Sequence, residues 1–252
     1  MNEQPLQGKV AVITGASRGL GRAMALALAE AGIRVALVGR DEAKLAETAQ
    51  GISALGGEHA IFLADVSREE PVDQLKAAIH DRYGSCDILI NNAGINLRKN
   101  ITDFTLAEWN SVIDANLTSV FLMCRAFVPG MKGKGYGRII NMTSIMSHIS
   151  LPGRAAYSSS KAALLGLTRA LALELASEGI TVNGISPGPV ATEINTAILN
   201  NPEANAQFVA KIPVGRWGLP EEIGKLALYL CQPEAGFITG TDILIDGGWC
   251  AA

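Results

Sequence analysis

Tyr157 and Lys161 stand four residues apart, the spacing that puts two side chains on one face of a helix. A phenol hydroxyl can hand a proton to an alkoxide as it forms, but its ordinary pKa is about 10. An ammonium beside it favours the phenolate, so Lys161 is expected to lower the Tyr157 pKa toward working pH. Taken alone, Tyr-x-x-x-Lys also suits an amphipathic surface helix. Ser144, thirteen residues upstream at the end of an apolar run, adds a hydroxyl that can donate to the same substrate oxygen, as in an oxyanion site. A proton donor, a cation and an oxyanion donor are the groups a protein contributes to hydride transfer at a carbonyl.

A second group reads Thr14-Gly15-Ala16-Ser17-Arg18-Gly19-Leu20-Gly21. Glycines here permit a tight turn and let backbone N–H groups approach a pyrophosphate, and the N-terminus of the next helix adds partial positive charge. The spacing is GxxxGxG rather than GxGxxG, and a bare glycine triplet is equally a turn. Its place directly after a first strand points to a dinucleotide.

The elements that hold these groups alternate along the chain. Lys9–Thr14, Arg34–Val38, Ala60–Leu63, Asp87–Asn91, Arg138–Thr143, Thr181–Ile185 and Asp242–Ile245 read as strands. Gly19–Ala31, Glu42–Leu55, Glu69–Tyr83, Leu106–Met131, Ala155–Ser177 and Pro220–Cys231 read as helices. Strands without polar alternation, separated by helices, mean a parallel sheet buried on both faces. The expected architecture is a single α/β, doubly wound domain over residues 1–252, with seven parallel strands. The long stretch after strand six, about 192–217, is expected to cover a ligand crevice at the carboxyl end of the sheet.

Composition narrows the class. A net charge of −3 lacks the basic excess of a nucleic-acid binder. The 18% charged and 48% apolar residues exclude a disordered chain. Cys86, Cys124, Cys231 and Cys250 form no CxxC, which fits a reduced, cytoplasmic compartment. His59, His80 and His148 make no ligand cluster, so no bound metal is expected. Met1 to Gly8 carries no basic stretch followed by an apolar run, so no signal peptide is expected. No uninterrupted apolar run reaches 18 residues, so no membrane helix is expected either.

The glycine triplet, Asn91-Asn92-Ala93-Gly94 after strand four, Ser144 after strand five and Tyr157-x-x-x-Lys161 together resemble the short-chain dehydrogenase/reductase family. The resemblance runs from Lys9 to Asp246-Gly247-Gly248. It implies a Rossmann-type nicotinamide enzyme, usually a homotetramer built through the helices at Leu106–Met131 and Ala155–Ser177 and the last strand. It implies a catalytic set of Asn116, Ser144, Tyr157 and Lys161, with Asn116 in a water-mediated proton relay to Lys161. Lys161 would also hold the nicotinamide ribose. The implied cofactor contacts are Gly15, Ser17, Arg18, Gly19, Leu20 and Gly21 at the phosphates, Asp65 and Val66 at the adenine, and Asn92, Ala93 and Gly94 near its ribose. Pro187, Gly188, Val190 and Thr192 would hold the carboxamide.

The choice of nicotinamide turns on strand two. Asp41 lies 20 residues past Gly21, where an acid bonding a ribose 2′-OH would indicate NAD(H). Alignment by the end of the strand instead puts Gly39 at the family's acidic position, with Arg40 next. Glycine leaves room for a 2′-phosphate and arginine can bind one through two parallel hydrogen bonds. NADP(H) is therefore expected, with NAD(H) as the alternative; Arg40 can equally pair with Asp41 or Glu42.

On the substrate side, Met146 and Arg154 flank Ser144 and Tyr157. Arg154 can bind an anion or stand as a surface cation. The 192–217 stretch is rich in amides (Asn195, Asn200, Asn201, Asn205, Gln207) and poor in large apolar residues, which suits a hydroxylated substrate. Thr192–Pro202 and Gly215–Gly218 are similar to sugar-acid dehydrogenases of the gluconate 5-dehydrogenase kind. Reductases of 3-oxoacyl thioesters are the alternative. A non-catalytic dinucleotide sensor would be expected to lack part of the proton-transfer set, and all four members are present.

Overall fold

Short β-branched runs flanked by turn residues form the strands, buried on both sides in the middle of the sheet and only partly at its two edges. In a computed structural model that describes residues 5–252, these are β1 Val10–Thr14, β2 Arg34–Gly39, β3 His59–Leu63, β4 Ile88–Asn91, β5 Gly137–Met142, β6 Ile180–Pro187 and β7 Asp242–Ile245. They pair parallel in the order β3-β2-β1-β4-β5-β6-β7. Residues 1–4 of the N-terminal stretch discussed above lie outside the described residues.

The helices are α1 Gly19–Glu30, α2 Glu42–Ala54, α3 Glu69–Tyr83, α4 Leu106–Ile113, α5 Ser119–Met131, α6 Ala155–Leu175, α7 Thr196–Leu199, α8 Pro202–Val209 and α9 Pro220–Cys231. Successive strand residues feed opposite cores, as a two-residue period requires. Val10 and Val12 pack with Leu75, Phe127 and Leu164 from α3, α5 and α6. Ala11 and Ile13 pack with Met24, Ile52 and Ala227 from α1, α2 and α9. The result is the expected doubly wound Rossmann-type α/β fold. The strand order reverses between β1 and β4, and at such a switch point the carboxyl ends of the strands open a crevice.

Two features depart from the sequence reading. The stretch expected as one helix, Leu106–Met131, is interrupted by a π-helical turn at Asp114–Thr118 that carries Asn116. The wider turn inserts one residue into the helical register, and such turns favour functional positions. The same continuous stretch is also long and apolar enough to cross a membrane, with a mean hydropathy of 1.4 over its most apolar window. It packs instead on the sheet and on α3 and α6, burying half of that window.

Candidate active site

Ser144 leaves the end of β5 in extended conformation and caps the short turn Ile145–Ser147, its Oγ accepting from the Met146 N–H at 3.1 Å. Tyr157 and Lys161 lie in the first two turns of α6. The fold brings the start of α6 to the end of β5, so that Ser144 acts on the Tyr157 phenol. Burial pushes the Tyr157 pKa up; the Ser144 hydrogen bond and the Arg154 charge pull the other way without cancelling it.

The expectation that Lys161 lowers the tyrosine pKa is corrected here. Lys161 is 5% exposed and its Nζ donates to the Met142 carbonyl of β5 at 2.5 Å. It stands 5.9 Å from the Tyr157 ring centroid. One of its three N–H donors goes to the strand, and burial brings its own pKa down to about 8.

Asn116 is fully buried on its π turn. Its Nδ2 donates to the Ile95 carbonyl at 2.9 Å and to Ser160 Oγ at 3.0 Å, and its Oδ1 accepts from the Ile95 N–H at 2.7 Å. Ser160 in turn donates to the Tyr157 carbonyl at 2.7 Å. A Cβ on Gly94 would sit 2.8 Å from Asn116 Oδ1 and 3.7 Å from Lys161 Nζ. Asn116, Gly94 and Lys161 therefore converge, with the asparagine bracing the first turn of α6.

The glycine loop sits at the switch point. Gly15 has φ +63°, and a Cβ on Gly21 would lie 2.2 Å from the Gly15 carbonyl oxygen, so no side chain fits where α1 meets the loop. Asn92 Nδ2 donates to the Thr14 and Gly15 carbonyls at 3.0 Å each, and Thr14 Oγ1 accepts from the Asn92 and Ala93 N–H groups at 2.9 and 3.0 Å. The β4 loop is thereby locked to the phosphate loop. Ser17 and Leu20 lie in it beside Gly19, and Thr192 Cγ2 comes within 3.8 Å of a Cβ built on Gly19. Arg18 is exposed at the start of α1.

At the rim, Asp41 caps α2, accepting from the Lys44 N–H at 3.2 Å, and pairs with Lys44. That acid is committed to its helix. Arg40 is 71% exposed, 4.0 Å from Asp65, so its pairing with Asp41 or Glu42 is not what the structure has. Asp65 accepts from Ser67 Oγ at 2.6 Å, which with Arg40 holds its pKa below the usual value; Val66 beside it is buried. Half-buried Gly39 and exposed Arg40 here, with a cradle of backbone donors that a Cβ would fill, fit a dinucleotide bearing a 2′-phosphate. Beyond β6, Pro187 and Gly188 lead to Val190, which bridges Gly218, and Thr192 opens the next turn.

Around Ser144, Tyr157 and Lys161, Met146 is buried and Arg154 begins α6. Burial and the charge of Arg98 lower the Arg154 pKa. Arg98 escaped the sequence reading, because only folding places the post-β4 loop on the start of α6, where the Lys99 N–H donates to the Gly153 carbonyl at 3.2 Å. The 192–217 stretch also differs from expectation. Asn195 donates to the Val190 carbonyl, Asn201 caps α8, and Asn205 accepts from Trp217 Nε1 at 2.7 Å. These amides serve the stretch itself rather than lining a crevice. Its body is aromatic: Phe208 stacks on Trp217 at 4.5 Å and meets Trp249 at 5.5 Å. Arg216 is paired with Glu222 at 2.7 Å.

Residues 15–250 match a family model described as enoyl-(acyl carrier protein) reductase, and the 3-oxoacyl-[acyl-carrier-protein] reductase of Vibrio cholerae is 39% identical over 96% of this chain and 98% of its own. The chain is a short-chain dehydrogenase/reductase. Like the family, it is an oxidoreductase acting on CH–OH and C=O groups. Two solved Agrobacterium tumefaciens structures are similar to this dehydrogenase/reductase. A candidate gluconate dehydrogenase superposes with TM-score 0.94, 38% identity and 98% coverage of both chains. A candidate 2-deoxy-D-gluconate 3-dehydrogenase with bound NADP superposes with TM-score 0.90, 34% identity and full coverage of both.

Proposed function

We propose that this dehydrogenase/reductase uses NADP(H) to interconvert a ketone and a secondary alcohol on a hydroxylated carboxylic acid, a sugar acid or a related polyol. The observation that carries the substrate class is Arg154 at the start of α6, whose charge acts on the Tyr157 phenol. A guanidinium there can hold a carboxylate through paired hydrogen bonds. The NADP-bound A. tumefaciens relative supports the cofactor, as do Gly39 and exposed Arg40. When bound, the nicotinamide supplies or accepts the hydride.

The residues of the chain do the rest. Ser144 donates to the substrate oxygen. Tyr157, kept protonated by burial, delivers a proton to that oxygen during reduction. Lys161 braces the first turns of α6 against β5 and would hold the nicotinamide ribose, while Asn116 fixes the same turns through Ser160. The 192–217 stretch acts as the lid. The same reading includes one catalytic domain, a cytoplasmic setting, a homotetramer, and no nucleic-acid, membrane or metal partner.

The second reading, a 3-oxoacyl-thioester reductase, is favoured by the V. cholerae relative. A protein carrier needs a basic exterior patch, and in the lid only Lys211 is left for it once Arg216 is paired with Glu222. The ratio of kcat/KM for 5-ketogluconate and for acetoacetyl-CoA with NADPH decides. A thioester advantage above about tenfold, or about 1.4 kcal/mol of transition-state binding, reverses the order. Arg154→Ala is expected to raise KM for the acid and not for a neutral polyol ketone; an equal effect on both makes Arg154 structural.

A further inference from the structure

The last strand sends one carboxylate into the catalytic layer. Asp242 is paired with Gly184 of β6, its side chain 9% exposed. A Cβ at position 184 would come within 2.0 Å of Asp242 Oδ1, so only glycine admits the acid. Three side chains converge on the carboxylate. Thr143 Oγ1 lies 2.5 Å from Oδ1, Ser186 Oγ 2.6 Å from Oδ2, and His148 Nε2 2.7 Å from Oδ2.

Hydrogen-bond accounting gives these contacts a direction. An ionised carboxylate only accepts, so both hydroxyls and the His148 ring N–H donate to it. The nearby carbonyls do not need those protons, since Ile185 O already accepts from the Thr143 N–H and Ser144 O from the Ser147 N–H. The three donors bracket Ser144 in sequence and in space. Thr143 precedes it, His148 follows its turn, and Ser186 Oγ is 2.9 Å from the Ser144 carbonyl oxygen. The paired register of β5 and β6 stops at Met142 and Ile185, just short of Ser144.

We propose that Asp242 is the positioning residue for Ser144, fixing the ends of β5 and β6 and, through His148, the turn that presents the serine hydroxyl. Asp242 touches no reacting atom and acts only through Ser144. The inference rests on the catalytic reading of Ser144 given above.

The test is a double-mutant cycle in the full-length protein, with Asp242→Asn made in the wild-type and Ser144→Ala backgrounds. Turnover of 5-ketogluconate, or of acetoacetyl-CoA if that is the faster probe, is measured with NADPH alongside the NADPH Kd. The expected result is a fall in kcat of about tenfold in the wild-type background, less than about twofold in Ser144→Ala, and an NADPH Kd within about twofold throughout. Equal falls in both backgrounds, or wild-type kcat in Asp242→Asn, overturn the proposal. Wild-type turnover in Ser144→Ala overturns the catalytic reading beneath it, and the proposal with it. If Asp242→Asn does not fold, His148→Phe at the 31% exposed end of the cluster takes its place. It is expected to lower kcat about threefold with Ser144 present and not further without it; additivity again overturns the proposal.

Discussion

Burial shifts the protonation of Tyr157, the proposed proton donor, and of Lys161 one turn on. Tyr157 is pushed above its ordinary pKa and therefore stays a phenol, a proton donor, at neutral pH. Reduction is expected to hold level through neutral pH, while oxidation of the alcohol, which needs the phenolate, rises with pH up to and beyond 10; a pH–rate profile in both directions checks this. Lys161 is lowered from 10.5 to about 8, so the folded protein binds that proton less tightly than the unfolded chain. The penalty is complete below pH 8 and lifts between about pH 8 and 10.5, up to about 3 kcal/mol. Lys161→Met is expected to remove this rise in stability, measured by urea unfolding at pH 7.5 and 10. Arg40→Ala is expected to weaken NADPH about tenfold, the low end for a charge-assisted contact at an exposed site, with little effect on NADH; a wild type that prefers NADH contradicts the assignment. The pairing of Tyr157 with Lys161 was legible because spacing on a helix survives without the fold, and Ser144 because it ends an apolar strand pattern. The partner of Lys161 was not, since Met142 O belongs to another element.

Elements were legible where one periodicity ran uninterrupted. β1 through β4 and α1 through α3 agree with their sequence patterns to within a residue or two because their burial is continuous on one or both sides. The π turn at Asp114–Thr118 was not legible, because an extra residue in one turn leaves the apolar pattern of the whole stretch nearly unchanged. The lid was misread because composition does not say what an amide bonds to. Asn205 is taken by Trp217, and Phe208, Trp217 and Trp249 come from three separate segments. Phe208→Ala is expected to loosen the lid, costing about 3 kcal/mol or less of local stability and raising substrate KM more than it lowers kcat. Gly21→Ala, which forces a Cβ against the Gly15 carbonyl, is expected to lower Tm and to abolish measurable NADPH binding, with overpacking costing about 1–3 kcal/mol; normal affinity in that variant contradicts the phosphate-loop assignment.

At the scale of the whole molecule, two cores share one sheet, and apolar surface remains outside both. Phe121 and Leu173 are exposed, the latter by 84%, and Phe237 is fully exposed. Phe121, Val128, Leu167 and Leu171 line a groove between α5 and α6. Uncovered apolar area of this kind implies a partner, and a second copy through these helices fits the proposed tetramer. Light scattering at micromolar concentration is expected to give a tetramer, and Phe121→Glu a smaller species. The exposure of Phe237 required the fold. The chemistry as a whole stands on one hydroxyl, and Tyr157→Phe removes it alone. With NADPH and 5-ketogluconate, kcat/KM is expected to fall by about 10²- to 10⁴-fold while the NADPH Kd stays within about threefold of wild type; activity within about tenfold of wild type contradicts the mechanism.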